Sequence, residues 1–553
     1  MGAGVLMPRI FLATLLANLG GAVTNPPIGS QSAFVHLFEW SWTDIAQECE
    51  EFLGPKGFRA VQVSPPSEHA QGLPWFVRYQ PVTYNLCLSS HVTSRSGNEE
   101  EFKDMVTRCK KVNVDIYVDA VINHVGGGSG VGIAGSPYGH RTTAIYAQED
   151  FHHKPGDLSA GCSITSYYDK YQVQYCDLEG LPDLCTSCPR VQTLVSQYMT
   201  NLLQMGVAGF RIDAAKHQDA GELKQLLEKV QGGIPWLFGE VIYGAGEAVT
   251  PEMYTDLGLV TEFRYAGQLA PNILAEGKLQ YLKTFGESWG FLPGGSAVVF
   301  MDNHDTQRGG ACGANLTYKN GALYTLANVF MLAHPYGYPK VMSSYNFDAH
   351  DQGPPDVPVH GSGLACFHGS WVCEHRYPEI ANMVAWRQAA GTGAPEVFQS
   401  SEDGNGAFFC RSSSACVALN RGSGNWSVKV KTTLPAGQYY DVLRDINVSS
   451  CPFVRVAVDG TAELLVPSTS AVAFHVNARS TPRARHTGLH GTLHALQIIG
   501  ISAVVLLVAF SLLFAPRLLR RFARRTARAE TRVVGTDVEL SPQATRRDEL
   551  LPS

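Results

Sequence analysis

Three acidic residues of this 553-residue chain each stand behind a short apolar run: Asp213 closing GVAGFRID, Glu240 closing IPWLFGE and Asp305 closing VVFMDNHD. Taken singly, an Asp or Glu after a strand is more often a helix cap or a surface charge. Taken together, three such carboxyl groups have the chemistry to break a glycosidic bond. Retention at the sugar carbon needs two of them about 5 to 5.5 Å apart, one as nucleophile and one as a proton donor that later becomes the base. The donor must stay protonated near neutral pH. A third carboxylate beside the pair holds sugar hydroxyls and opposes the donor's ionisation by like-charge repulsion.

Carboxyl groups on different strands meet if all the strand ends open onto one face, as they do in a (β/α)8 TIM barrel. The strand-like runs are FVHLF (34–38), AVQVS (60–64), VDIYVDAVI (114–122), GVAGFRI (206–212), WLFGEV (236–241), SAVVFM (296–301) and KVMSS (340–344). Helical segments separate them, which argues for a parallel sheet with crossover helices. From 123 to 184 the alternation dissolves into Gly, Tyr, Asp and Cys, so an insertion domain is expected after the third strand, with the barrel at 24–122 and 185–391. Across 392–477 the pattern becomes short alternating strands such as GAFFC, CVALN and WSVKVK, expected as a C-terminal antiparallel β-sandwich domain.

The composition, 45% hydrophobic and 17% charged, is that of a globular chain too long for a single core. A net charge of −6 gives no sign of a nucleic-acid binder. Basic residues gather instead from Arg517 onward, nine Arg against five Asp and Glu. Residues 1–23 have the layout of a cleavable signal peptide, with Arg9 before an apolar run and small residues after it. Residues 478–494 read as a stalk, 495–515 as an uncharged span and 516–553 as a basic cytosolic tail. The expectation is a monomeric, single-pass type I membrane protein of the secretory pathway, its body facing outward. Thirteen Cys point to disulfides, and the odd count leaves at least one thiol without a partner in the chain. Asn315, Asn425 and Asn447 begin glycosylation triplets.

DAVINH (119–124), GFRIDAAKH (209–217), GEV (239–241) and FMDNHD (300–305) resemble, in order, the motifs at the third, fourth, fifth and seventh strand ends of the α-amylase family of glycoside hydrolases. FVHLFEW, RYQPVTYNLC and WVCEHRYPEIANMV resemble the animal-type members, so the likeness runs from about 34 to 476. It implies endohydrolysis of α-1,4 bonds in starch, glycogen or maltooligosaccharides. Asp213 is then the nucleophile, Glu240 the acid/base and Asp305 the transition-state stabiliser. Trp75, Tyr79, Gln80, His124, Arg211, Lys216, His217 and His304 would contact the sugar.

The same resemblance implies one structural calcium ion, held by the side chains of Asn123 and Asp183 and the carbonyls of Gln174 and His217, a hard oxygen set. It also implies an activating chloride at Arg211, Asn303 and Lys340, the last being Arg in most relatives. The alternative for Lys340 is a plain ion pair with a nearby carboxylate. Cys49 with Cys109, Cys162 with Cys176 and Cys366 with Cys373 look like family disulfides, and Cys410 with Cys416 is placed to clip a hairpin. CTSC (185–188) is extra, Cys87 and Cys451 lack their usual partners, and RGGACGAN (308–315) is shorter than the family's mobile loop. An α-glucosidase or transglycosylase on the same fold, and a non-catalytic amylase-like membrane subunit, are the alternative readings.

Overall fold

The computed structural model describes residues 32–84, 94–309, 316–361, 366 and 369–480. Eight parallel strands close a barrel: β1 (Phe34–Leu37), β2 (Ala60–Val63), β3 (Asp115–Ala120), β4 (Gly209–Ile212), β5 (Leu237–Gly239), β6 (Leu259–Thr261), β7 (Ala297–Val299) and β8 (Tyr338–Ser343). Each strand pairs with its predecessor and β8 pairs with β1, so the ring order is the chain order. The expected TIM barrel is therefore present. The β6 strand has no counterpart among the expected runs. At three residues it is too short for any alternation to show, and its ladders to β5 and β7 define it.

Alternate side chains of a barrel strand point inward and build layers. The lowest layer is aromatic: Phe34, Tyr117, Trp236, Phe238 and Tyr338 pack together, with Tyr117 stacked on Trp236 at 4.0 Å. Two residues further along the strands the layer turns polar, and His36, Gln62, Asp119, Arg211 and Lys340 are all buried. Burying a large apolar side chain contributes roughly 1.5–3 kcal/mol, so the ring layer helps offset the desolvation of the charges above it. Two residues beyond Arg211 and Phe238 come Asp213 and Glu240.

The outer elements carry ordinary start signals. Helix Glu99–Lys111 opens on a capping box of Asn98 and Glu101, and the Cys49–Cys109 disulfide ties its far end to the chain following helix Trp42–Glu48. Between β3 and β4 the insertion holds a small antiparallel sheet, Gly130–Val131, Pro137–Gly139 and Thr142–Thr143, then helix Lys170–Tyr175. After helix Pro378–Ala390 come two four-stranded antiparallel sheets. One has the order β9 (Pro395–Ser400), β10 (Gly406–Arg411), β11 (Ala415–Asn420), β16 (Ser470–His475). The other has the order β12 (Trp426–Lys431), β15 (Thr461–Val466), β14 (Phe453–Val456), β13 (Gly437–Tyr440). The first of these sheets packs its apolar face, including Phe409 and Val417, into the barrel's core and adds polar contacts, Trp386 Nε1 donating to Cys416 O at 3.0 Å and Arg411 Nη1 to Ala333 O at 2.9 Å.

The disulfides expected between Cys162 and Cys176, Cys366 and Cys373, and Cys410 and Cys416 form, the last pair sitting opposite each other on β10 and β11. Cys185 pairs with Cys188, so the extra CTSC is a closed turn. Cys451 is buried as a free thiol, while Cys87, Cys312 and Asn315 lie outside the described residues.

The membrane placement needs correction. Among the described residues no helix is long and apolar enough to cross a membrane. The expected span at 495–515, its basic tail, most of its stalk and the expected signal segment 1–23 all lie outside the described residues. No described element carries a single-pass topology.

Candidate active site

Asp213 and Glu240 are the first residues past β4 and β5, at the C-terminal mouth of the barrel, and each is more than nine-tenths buried. One guanidinium joins them. Arg211 Nη1 lies 2.8 Å from Asp213 Oδ1 and 2.5 Å from Asp119 Oδ1, and its Nη2 lies 2.5 Å from Glu240 Oε1. Pairing of β3 with β4 sets Asp119 beside Arg211, which makes that contact a matter of register. The other Glu240 oxygen accepts the Ala214 N–H at 3.1 Å. Ala214 adopts φ +47° to present that donor, a left-handed conformation that costs an alanine about 1 kcal/mol and is characteristic of functional turns.

Asp305 is the open member of the trio, with 35% of its side chain exposed, and His304 Nε2 lies 3.3 Å from its Oδ2. His304 stacks on Tyr79 at 4.8 Å, and Trp75 meets His304 edge-on at 5.4 Å, its own Nε1 donating to His350 O at 3.0 Å. Tyr79 donates its hydroxyl to Asp119 Oδ2 at 3.1 Å. His124 Nε2 lies 2.9 Å from Tyr79 O, and Gln80 Oε1 accepts the Gly127 N–H at 3.4 Å. Lys216 Nζ donates to Ile242 O at 2.8 Å and pairs with Glu247, while its backbone N–H donates to Glu240 O at 3.1 Å.

Electrostatics follow from burial and crowding. Burial pushes the Asp213 carboxyl well above the usual range, Arg211 opposes this, and Glu240 and Asp119 add to it. An ionised Asp213 therefore depends on Arg211. Burial, then the charge of Glu240, also raise Asp305. Burial holds His304 and His36 well below the usual imidazole range and brings His124 and His217 down to about 4, so all four are neutral at pH 7.

Two of these groups had no role from the sequence. Asp119 and His36 lie within quoted motifs, and the available signal was a polar residue at an inward-facing position of an apolar strand. His36 is fully buried, with both ring nitrogens unpartnered among the described residues.

The residues expected to hold calcium fit an oxygen-seeking ion. Asn123 Oδ1 and Asp183 Oδ1 are buried acceptors without a hydrogen bond among the described residues, and so is Gln174 Oε1. Backbone pairing brings Asn123 and Asp183 together, Leu184 N–H donating to Asn123 O at 2.9 Å and His124 bridging to Asp183. The His217 ring is engaged elsewhere, its Nδ1 lying 2.9 Å from Val173 O.

The expected anion site is less directly assembled. Arg211 is committed to carboxylates, and Asn303 Oδ1 accepts the N–H groups of Asp305 and Thr306 at 3.0 and 2.7 Å. Lys340 lies within the field of Glu240, Asp119 and Asp305 but makes no ion pair with a carboxylate among the described residues. Its ammonium sits 4.8 Å from the Phe300 ring centre, lowered to about 8 by burial and then by Arg211. Lys340 supplies the positive charge of this buried corner, and the neutral His36 near it has both ring nitrogens without a hydrogen bond among the described residues.

The chain matches the family model for the α-amylase catalytic domain over residues 74–232 and that for the α-amylase C-terminal all-beta domain over residues 399–477. It is 40% identical over 501 residues to the α-amylase-related protein of Drosophila pseudoobscura pseudoobscura, covering 85% of this chain and 98% of the relative. The Drosophila melanogaster protein of that name is 39% identical over 506 residues, covering 85% and 99%. Among solved structures, α-amylase I of the earthworm Eisenia fetida superposes with a TM-score of 0.75 at 34% identity, covering 83% of this chain and all of the earthworm chain. A mutant of that enzyme in complex with maltohexaose gives 0.74 at 34% identity, covering 82% and 99%. On motifs, barrel, C-terminal domain and these relatives, the chain belongs to the α-amylase family.

Proposed function

We propose that the chain is a working α-amylase that hydrolyses internal α-1,4 bonds of starch, glycogen or maltooligosaccharides with retention. The observation that carries this reading is the suspension of Asp213 and Glu240 from one guanidinium at the barrel mouth, beside the open carboxyl of Asp305. The complex of the earthworm enzyme with maltohexaose supports the substrate class.

Asp213 attacks the anomeric carbon while Glu240 gives its proton to the departing glycosidic oxygen. Glu240 then takes a proton from water, whose oxygen displaces Asp213. Asp305 supports the positive charge that builds on the ring. His304, neutral at working pH, donates to a sugar hydroxyl, as do Lys216, Gln80 and the backbone around His217, while His124, whose Nε2–H goes to Tyr79 O and whose Nδ1 accepts from the Asn123 amide, holds Tyr79 in place. Trp75 and Tyr79 offer ring faces for the glucose unit. Arg211 keeps Asp213 ionised.

Asn123, Gln174, Asp183 and His217 would hold calcium, which ties the insertion to the barrel. Arg211, Asn303 and Lys340 would hold chloride, which favours the protonated acid/base.

The test is starch hydrolysis by the purified chain with and without Glu240→Gln. Release of mixed short oligosaccharides, abolished by the substitution, is the expected result. Glucose alone indicates a glucosidase, and no turnover indicates a non-catalytic member of the family.

A further inference from the structure

One buried cation at the barrel mouth stands outside the roles given above. Arg308 closes the short turn Thr306–Arg308 that follows Asp305, and it is buried. A buried guanidinium ordinarily pairs with a carboxylate, because an uncompensated charge is costly to desolvate. Arg308 takes part in no ion pair among the described residues. Its guanidinium carbon lies instead 4.1 Å from the ring centre of Phe347, 5.2 Å from Trp75, 5.3 Å from Tyr345 and 5.4 Å from Phe38, a cage of rings whose faces attract a cation.

From that cage Nη1 donates to His304 O at 2.7 Å. The N–H of the same peptide, that of Asp305, donates to Asn303 Oδ1 at 3.0 Å. Both polar atoms of the peptide between His304 and Asp305 are therefore held by side chains, which sets the directions in which the imidazole and the carboxyl leave the backbone. Phe38 and Trp75 also pack on the His304 ring, at 5.1 and 5.4 Å, so cage and turn form one unit. With no carboxylate to cancel it, the charge also reaches Asp305: burial, then Glu240, raise that carboxyl to about 7, and Arg211 and Arg308 oppose the rise.

We propose that Arg308 is a positioning residue for Asp305: a cation seated on rings instead of on a carboxylate, it fixes the His304–Asp305 peptide and leaves its charge free to act on the Asp305 carboxyl. The inference rests on the reading of the chain as an α-glucan hydrolase, and Arg308 acts through Asp305 without touching the sugar.

The experiment is a double-mutant cycle on maltoheptaose turnover with Arg308→Met, Arg308→Lys and Asp305→Asn, the folding of each variant being checked by thermal melting. Arg308→Met is expected to lower kcat about ten-fold, equivalent to about 1.4 kcal/mol of barrier, with KM held within about three-fold. Arg308→Lys, which keeps the charge but not the planar fork, should lower kcat only about three-fold. In the Asp305→Asn chain neither substitution should cost more than about two-fold further, because the group they act through is gone. A merely structural arginine would lower turnover by the same factor in both backgrounds. That result, a rise in KM with kcat retained, unchanged turnover, Arg308→Lys no better than Arg308→Met, or failure of both Arg308 variants to fold overturns the proposal. Starch turnover by the unsubstituted chain is scored first: its absence ends the hydrolase reading and this proposal together, whereas a cycle without coupling ends this proposal alone.

Discussion

Arg211 Nη2 lies 2.5 Å from Glu240 Oε1, while the same guanidinium holds Asp213 at 2.8 Å through Nη1. The residue that must deliver a proton and the residue that must stay ionised therefore share one permanent cation. The cation favours the ionised state of Asp213, which suits the nucleophile.

Chloride is expected to raise turnover and move the alkaline limb of the rate–pH profile upward, because an anion beside the acid/base favours its protonated form. Lys340→Arg should reach half-maximal activation at roughly five-fold less chloride, since a planar fork binds an anion more strongly than a point charge. Rates against pH in chloride and in a non-binding anion at equal ionic strength decide it. Superimposable profiles mean no functional anion site.

Asp213→Asn should lower kcat about 10⁴-fold, because the amide cannot act as nucleophile but keeps the volume. Asp305→Asn should lower it about 10²- to 10³-fold through loss of charge near the oxocarbenium-like centre. Maltoheptaose turnover beside thermal melts of both variants reads the effect. Near-normal turnover in folded Asp213→Asn rejects the assignment.

Two buried carboxyl groups behind the site predict a pH-dependent stability. Asp302 is raised to about 7 and Glu374 to about 8, burial being the largest cause in each and repulsion by Asp302 adding to it for Glu374. Unfolding returns them to ordinary values of 3.8 and 4.5. The folded state thus holds more protons between these limits, and stability present below pH 4 is lost as pH rises through 7 to 8. Melting temperature should fall over that interval, and Glu374→Gln should flatten the fall. A flat profile for the unsubstituted chain contradicts the assignment.

Chelation should lower the melting temperature by a few degrees, because an ion that binds only the folded state contributes about 2.7 kcal/mol at a hundred times its Kd. Asp183→Asn removes a charged ligand, so the variant should melt lower and no longer respond to chelator. An undiminished response would place the ion elsewhere.

The three catalytic candidates were legible in the sequence because each closes an apolar strand run, a local pattern, and the strands of a barrel all end on one face. So were the strand–helix alternation, the β domain and the Cys410–Cys416 clip, whose evidence is periodicity and spacing, while Cys49–Cys109, Cys162–Cys176 and Cys366–Cys373 were expected from the family resemblance. Asp119 and His36 stood inside quoted motifs, but nothing local distinguishes an inward polar residue from an outward one when the strand is only four to six residues long. The third neighbour of Arg211 depended on the lateral register of β3 against β4, a pairing between residues 92 apart in the chain.

Sequence by itself determined which residue types stand at the strand ends, and hence the class of chemistry. Only the tertiary structure decided how charge is shared among them. It also decided that Cys185 closes on Cys188 and that Asp119 joins Asp213 and Glu240 on the Arg211 guanidinium. The physical reason is range. Alternation and capping are set by neighbours within a few residues, whereas ion-pair partners, burial and exposure depend on segments that meet only when the barrel closes.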